Sequence, residues 1–169
     1  MAEEKDGLEI ERKYLIEYPD TEKLKNMPGC SVVRIKQTYL KAEPGVTDRL
    51  RVWEENGKRT FIRTRKVKVD SLTAEEKEHE ISFQEYESLY RSRKDPASED
   101  FMKTRYRIPF GNHLLEVDVY DFWKDKAIAE IELESAEDSV EVPDCVTVIR
   151  DVTGDFRYKN ASLAKNHNL

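Results

Sequence analysis

Short stretches of strict alternation between polar and apolar residues run along most of this chain. Leu8, Ile10 and Tyr14 stand between Glu9, Glu11 and Lys13, with Arg12 the one break in the pattern. Successive side chains of a β-strand point to opposite faces, so this spacing puts two acids and a base on one face. The pattern recurs. Arg49 and Arg51 flank Leu50; Lys103, Arg105 and Arg107 alternate with Thr104, Tyr106 and Ile108; Glu116 and Asp118 alternate with Leu115, Val117 and Val119; Glu130, Glu132 and Glu134 alternate with Ile131 and Leu133. Glu76, Glu78 and Glu80 also fall at period two, before Ile81. Each segment reads as a strand with one charged and one less polar face. Signs are grouped, so some strands are basic on that face and others acidic.

Turn and cap signals divide the remainder. A short helix is expected over 20–27, between Pro19 and Pro28-Gly29, followed by a strand over 32–41 with Gln37 and Tyr39 on one face. Strands over 48–53 and 59–67 flank Asn56-Gly57, a favoured hairpin dipeptide. Ser82 with Glu85 forms a capping-box pattern, and Phe83, Tyr86, Leu89 and Tyr90 follow at helical spacing. Strands return over 101–109, 113–122 and 127–133, and the tail 160–169 reads as a short helix anchored by Leu163. About eight strands with short connections predict a mainly β (α+β) domain spanning 1–169. They form an antiparallel closed barrel with short helices packed outside. An oil-like interior is not expected, because unpartnered buried charges cost several kcal/mol each. A wet tunnel, with acids and bases on its walls, avoids that cost.

Composition narrows the function. The net charge is -6 and charged residues make up 38% of the chain, against roughly 25% in ordinary soluble domains. The acidic balance argues against a general nucleic-acid binder and leaves room for a local basic site. No run is long and apolar enough for a helix to span a membrane. Residues 1–6 lack the basic-then-apolar pattern of a signal peptide, and Cys30 and Cys145 lack metal-type spacing, so a cytoplasmic protein with free thiols is expected.

The ordered blocks resemble the CYTH domains, also called triphosphate tunnel metalloenzymes. The likeness begins with E-x-E-x-K at Glu9, Glu11 and Lys13 and continues through Gln37-Thr38-Tyr39-Leu40, the R-x-R pair Arg49 and Arg51, and T-x-K at Thr64-Arg65-Lys66. Glu78 and Glu80 follow, then Lys103-Thr104-Arg105-Tyr106, Glu116-Val117-Asp118, Glu130-Ile131-Glu132 and the closing stretch from Gly154 to Asn160. Thr38 stands where the family often carries Gly. The T-x-K match makes Lys66 the inward base, while a bulged strand would turn Arg65 inward instead. The resemblance implies an eight-stranded tunnel that acts on a triphosphate with a divalent metal. Inorganic tripolyphosphate is the leading substrate. An adenylate cyclase making cyclic AMP from ATP, a thiamine-triphosphatase and a non-catalytic polyphosphate-binding module are the alternatives. The expected partner is a small triphosphate, with neither nucleic acid nor membrane.

On this reading Lys13, Arg49, Arg51, Lys66, Lys103 and Arg105 grip the phosphates, with Arg65 and Arg107 in support; Arg157 helps close one mouth. Arginine takes two phosphate oxygens at once, and lysine acts as a point charge. Glu9, Glu11, Glu130 and Glu132 are the metal ligands, with Glu78, Glu80, Asp118 and Glu134 as further candidates. All-oxygen donors suit Mg2+ or Mn2+. Glu9, Glu11, Lys13 and Arg105 carry the catalytic assignment, with water attacking directly. His79, His113 and His167 are read as surface groups.

Overall fold

A computed structural model describes residues 5–70 and 72–169, except the side chains of Lys5 and Asp6. Most of the N-terminal stretch read for a leader lies outside these residues. The described strands are β1 (Lys5–Glu17), β2 (Ser31–Leu40), β3 (Val46–Glu55), β4 (Lys58–Lys68), β5 (Thr73–Ile81), β6 (Phe101–Phe110), β7 (His113–Tyr120), β8 (Lys126–Glu132) and β9 (Val148–Asp151). They form one sheet in the order β5-β4-β3-β2-β6-β7-β8-β1-β9, and a further β5–β1 pairing closes β1 to β8 into an eight-stranded antiparallel barrel. The barrel closes because β1 is long. Residues 11–17 pair with β8, and residues 5–10 continue along β5. The short β9 lies outside the ring against Tyr14–Ile16. Its residues carry no alternation, and it was not expected from the sequence.

The expected β3–β4 hairpin turns at Asn56 and Gly57, with φ of 51° and 77°. Both central residues adopt the left-handed conformation that a tight hairpin needs and that Asn-Gly supplies at least cost. Helix α1 (Thr21–Lys25) starts at Asp20, whose carboxylate accepts from Lys23 N–H. Helix α2 (Phe83–Arg93) starts at Ser82, whose hydroxyl accepts from Glu85 N–H. The tail is less helical than expected. Helix α3 covers only Asn160–Leu163, after a 3₁₀ turn at Phe156–Tyr158.

Apolar residues occupy the outward faces, as alternation requires. Ile16, Ile108, Leu115, Val117, Ala129 and Ile131 are covered by Leu24 of α1 and by Cys145 and Val146 of the loop before β9. Leu40, Leu50 and Ile81 pack against Tyr86 of α2. Leu115→Ala is expected to lower stability by about 2–5 kcal/mol, as buried leucine truncations do; a shifted urea midpoint checks it. One part of the interior is apolar after all. At the end where β1, β2, β6, β7 and β8 carry Leu15, Tyr39, Phe101, Tyr120 and Ile128, the barrel is plugged by Val152, Tyr158, Leu163 and Ala164. The C-terminal segment thus folds into the barrel mouth. His167 stacks on Phe122 at 4.2 Å, so it is half-buried there and not a plain surface group. Among the described residues no helix is long and apolar enough to cross a membrane.

Candidate active site

Above the apolar plug the barrel encloses a cavity of about 1230 Å³. Its lining follows strand parity. Glu9, Glu11 and Lys13 enter from β1, Arg49, Arg51 and Trp53 from β3, Lys66 and Lys68 from β4, and Glu76 and Glu78 from β5. Arg105 and Arg107 enter from β6, Glu116 from β7, and Glu130 and Glu132 from β8. Around the ring the signs are segregated. The strands β4, β3 and β6, with β2 between the last two contributing no charge to the lining, supply mainly bases; β7, β8, β1 and β5 supply mainly acids, with Lys13 of β1 and Glu55 of β3 the exceptions. The cavity therefore has a basic wall facing an acidic one.

Ion pairs bridge the two signs. Lys66 Nζ lies 2.8 Å from Glu9 Oε2 and 3.7 Å from Glu76, Arg51 Nη2 lies 2.5 Å from Glu78, and Lys13 Nζ lies 3.7 Å from Glu130. Arg105 Nη1 and Arg107 Nε both approach Glu116, at 3.2 and 3.5 Å. Arg49 differs. It lines the cavity, its Nε is buried, and it forms no hydrogen bond or ion pair among the described residues. Arg51 Nε is likewise buried without an acceptor. Burial depresses the Arg51 guanidinium, and the charge of Arg49 beside it adds to the effect, to about 10. These two buried guanidinium N–H groups of the basic wall are thus without an acceptor among the described residues, while at Arg49 burial disfavours the charge but surrounding groups, Tyr39, Glu78 and Glu9 among them, outweigh it.

The acidic wall has the opposite strain. Burial drives the Glu11 carboxyl well above its usual range, and the charges of Glu130 and Glu9 on either side push the same way. Burial also disfavours the anions of Glu9 and Glu130, but at Glu9 Lys66 together with Arg49, and at Glu130 Lys13 together with Arg105 and Lys103, hold the carboxyl below its usual range. Of the three crowded carboxyls, Glu11 is the one that most readily keeps a proton, which its single O–H can donate to only one neighbour at a time. Among the described residues no three such groups already converge on one point as metal ligands, because each is turned toward a neighbouring side chain. The donor set is nonetheless all oxygen and carries a proton at its centre, which is the chemistry a hard divalent cation fits.

Several expected residues lie elsewhere. Arg65 is on the outer face and exposed, bonded to Glu43 at 3.1 Å and 3.8 Å from Asp48. The strand is not bulged there, so Lys66 points inward and Arg65 cannot. Glu80 shares the face of Glu78 but is exposed and does not line the cavity. Glu134 is exposed beyond the end of β8, outside the lining. Arg157 does border the cavity, but its guanidinium is exposed and engaged by Asp155 at 2.7 Å. Lys103 and Asp118 point inward yet lie beneath the lining, fully covered. Asp118 accepts from Lys103 Nζ at 2.8 Å and from Arg105 Nε and Nη2 at 2.8 and 2.9 Å. Asp118 is therefore the counter-charge that fixes Arg105, and neither it nor Lys103 reaches the cavity. Alternation also marked residues not chosen from the sequence. Trp53 follows Arg51, Lys68 follows Lys66, Glu76 precedes Glu78 and Glu116 precedes Asp118, each at period two.

Lys103 gives this buried network a pH signature. Burial lowers its ammonium to about 7, Asp118 opposing and Arg105 reinforcing the shift, from an ordinary 10.5. Below about 7 the lysine is charged in both folded and unfolded chains, and the folded state bears the cost of a buried ammonium. Between 7 and 10.5 the folded chain sheds the proton first, so stability from this group climbs with pH. Wild type should gain stability relative to Lys103→Met across that window in urea titrations; parallel pH profiles would contradict the assignment.

No family model and no curated protein matches the chain. Solved structures do. An inorganic triphosphatase, NE1496, superposes with a TM-score of 0.55 at 26% identity, over 93% of this chain and 94% of that one. The fold is that of the CYTH, or triphosphate tunnel, family. Within this CYTH fold, the PH1819 protein of Pyrococcus horikoshii OT3 matches with a TM-score of 0.62 and 19% identity, over 76% of this chain and 80% of that one. HpAC1 of Hippeastrum, a candidate adenylyl cyclase whose dominant activity is triphosphatase, matches at 0.56 and 15% identity, over 76% and 81%. At those identities the last two show the shared barrel alone.

Proposed function

We propose that the chain hydrolyses a phosphoanhydride bond of a linear triphosphate, inorganic tripolyphosphate first, in the presence of Mg2+ or Mn2+. The observation that carries this reading is Arg49, a cavity-lining guanidinium whose buried Nε–H has no acceptor among the described residues. Leaving such donors unsatisfied costs about 1–3 kcal/mol each, more when charged, and an anion rich in oxygens would satisfy them. The likeness to the triphosphatase NE1496 supports the same conclusion.

Arg49, Arg51 and Arg105 would bind and orient the phosphoryl groups, and Lys13 and Lys66 would leave their carboxylate partners for phosphate oxygens. Glu9, Glu11 and Glu130 would hold the divalent cation, which supplies charge neutralisation at the phosphates. Among the described residues no cysteine or histidine lines the cavity. Water is the proposed acceptor of the phosphoryl group: its oxygen forms the new P–O bond as the anhydride P–O bond breaks, the shortened phosphate leaves, and the water proton passes to solvent. Arginines aimed at the leaving phosphate stabilise the charge that develops there.

A second reading keeps the chemistry and changes the substrate. The Trp53 ring lines the cavity and lies 5.5 Å from the Arg51 guanidinium and 5.9 Å from that of Arg107. An organic triphosphate, such as thiamine triphosphate or a nucleotide, would find there a surface on which to stack its ring. A panel of inorganic, thiamine and nucleoside triphosphates, crossed with Mg2+ and Mn2+ and read by product identification, decides. Phosphate release fastest from tripolyphosphate supports the first reading. Cyclic AMP from ATP, or no product from folded protein with any metal, counts against it.

A further inference from the structure

The C-terminal segment does more than fill the barrel mouth. It makes polar contacts with two of the inward-facing cations. The Tyr158 carbonyl accepts from Lys13 Nζ at 3.4 Å. The Asn160 side chain reaches the buried network beneath the cavity: its Oδ1 accepts from the Tyr120 hydroxyl at 2.6 Å and from Lys103 Nζ at 3.5 Å. Any residue supplies a backbone carbonyl, so only the second contact depends on a particular side chain.

That side chain is not spent on its own helix. Asparagine at a helix start ordinarily sits at the N-cap and accepts from the first free N–H groups. Here Lys159 is the N-cap of α3 and makes no side-chain cap, while Asn160 is the first helical residue. Its amide oxygen serves two barrel residues instead, Tyr120 and Lys103, both almost completely buried.

What Asn160 holds matters because of what Lys103 holds. Among the described residues Lys103 Nζ has two hydrogen-bond acceptors, Asn160 Oδ1 and Asp118 Oδ2, the second at 2.8 Å. The same Asp118 oxygen accepts from Arg105 Nη2 at 2.9 Å, and its other oxygen accepts from Arg105 Nε at 2.8 Å. Asn160, Lys103, Asp118 and Arg105 therefore form one connected series. An ammonium that loses one acceptor shifts toward the other and moves the carboxylate that aims the guanidinium. A misplacement of about 1 Å near reacting groups costs up to roughly 10²-fold in rate.

Resting on the triphosphatase reading, we infer that Asn160 is a positioning residue for the hydrolysis: it fixes Lys103 and, through Lys103 and Asp118, aims the Arg105 guanidinium at the phosphate chain. Seating the C-terminal segment and completing the arginine site are then one event, because the segment supplies the acceptor.

The test is a double-mutant cycle of Asn160→Ala with Arg105→Ala, read by steady-state hydrolysis of tripolyphosphate with Mg2+. Asn160→Ala is expected to lower kcat about tenfold and to move KM by less than about twofold. In the Arg105→Ala background the same change should lower kcat by less than about twofold, because residues that act as a unit do not add. A tenfold loss repeated in that background makes Asn160 independent of Arg105 and overturns the inference. So does a folded Asn160→Ala with the kcat of wild type. Removing the acceptor of two buried donors can unfold the chain, so Tyr120→Phe is taken through the same cycle. It deletes the shorter bond to the Asn160 oxygen and leaves Lys103 and Asp118 in place. A loss of about threefold in kcat is expected, on the scale of one weakened hydrogen bond, and a loss that persists in the Arg105→Ala background overturns the inference. A folded wild type that releases no phosphate overturns the triphosphatase reading itself, an outcome distinct from a failed cycle in an active enzyme.

Discussion

Arg105→Ala is expected to reduce kcat/KM for tripolyphosphate by roughly 10³-fold, with most of the loss in kcat. The size follows from how this guanidinium is held. Two of its nitrogens are fixed by Asp118 and a third faces Glu116, so its remaining hydrogen-bonding capacity is directed at a defined place in the cavity. Burial disfavours its charge, but Asp118 and Glu116 outweigh that and keep it well above the usual arginine range. A donor already oriented and already charged needs no reorganisation as negative charge builds on a departing phosphate. Arg105→Lys keeps the charge and loses the fork, so a smaller deficit of about 10–100-fold is expected. Collapse of the fold should not confound the comparison. Without Arg105, Asp118 still has Lys103 at 2.8 Å, and Lys103 is relieved of a cation that now depresses it. Circular dichroism and a melting curve verify this. A folded alanine variant with turnover within about tenfold of wild type would remove Arg105 from the chemistry.

Much of this site could be read from residue parity alone. Glu9, Glu11, Lys13, Arg49, Arg51, Lys66, Arg105 and Glu130 line one cavity because period two fixes which face a strand side chain takes. Parity does not fix depth along the barrel axis. Lys103 and Arg105 are two residues apart on the same face, yet only Arg105 reaches the cavity, because the plug residues Tyr158 and Leu163 cover that end. Glu80 fails for the opposite reason: it lies on the right face near the end of its strand, in solvent. Which face of β4 turns inward is not fixed by parity, because both faces carry a base, Arg63 and Arg65 on one and Lys66 on the other. Asp48 explains the two arginines. This acid on the outer face is almost fully buried, bonded to Arg63 at 3.0 and 2.7 Å with Arg65 nearby. That pairing joins neighbouring strands, and no period in one strand reveals it. The C-terminal closure of one mouth was expected from the resemblance alone, since Val152, Tyr158 and Leu163 have no repeat to mark them as interior.

Replacing Glu9 and Glu11 separately by glutamine should split two properties that a merely structural acid wall would keep together. In turnover with Mg2+ or Mn2+, each variant is expected to lose about 10²–10³-fold, because each removes a carboxylate from the proposed cation site. In anion binding with metal chelated, the two should diverge. Glu9 is held ionised, chiefly by Lys66 against the cost of its burial, so Glu9→Gln deletes a real negative charge and frees Lys66 for phosphate. Tripolyphosphate affinity should then rise about 5–30-fold, the range of one to two kcal/mol. Glu11 already carries a proton, since burial and its two carboxylate neighbours raise it well above the usual range. Glu11→Gln is close in shape and charge to that protonated state, so metal-free anion affinity should change by less than about twofold. Both effects follow from the same arrangement: without substrate the acidic wall occupies the bases that a phosphate chain requires. A Glu9→Gln variant that binds tripolyphosphate more weakly than wild type under chelation would mean that Glu9 does not compete for Lys66, and the proposed exchange of partners on substrate entry would fail with it.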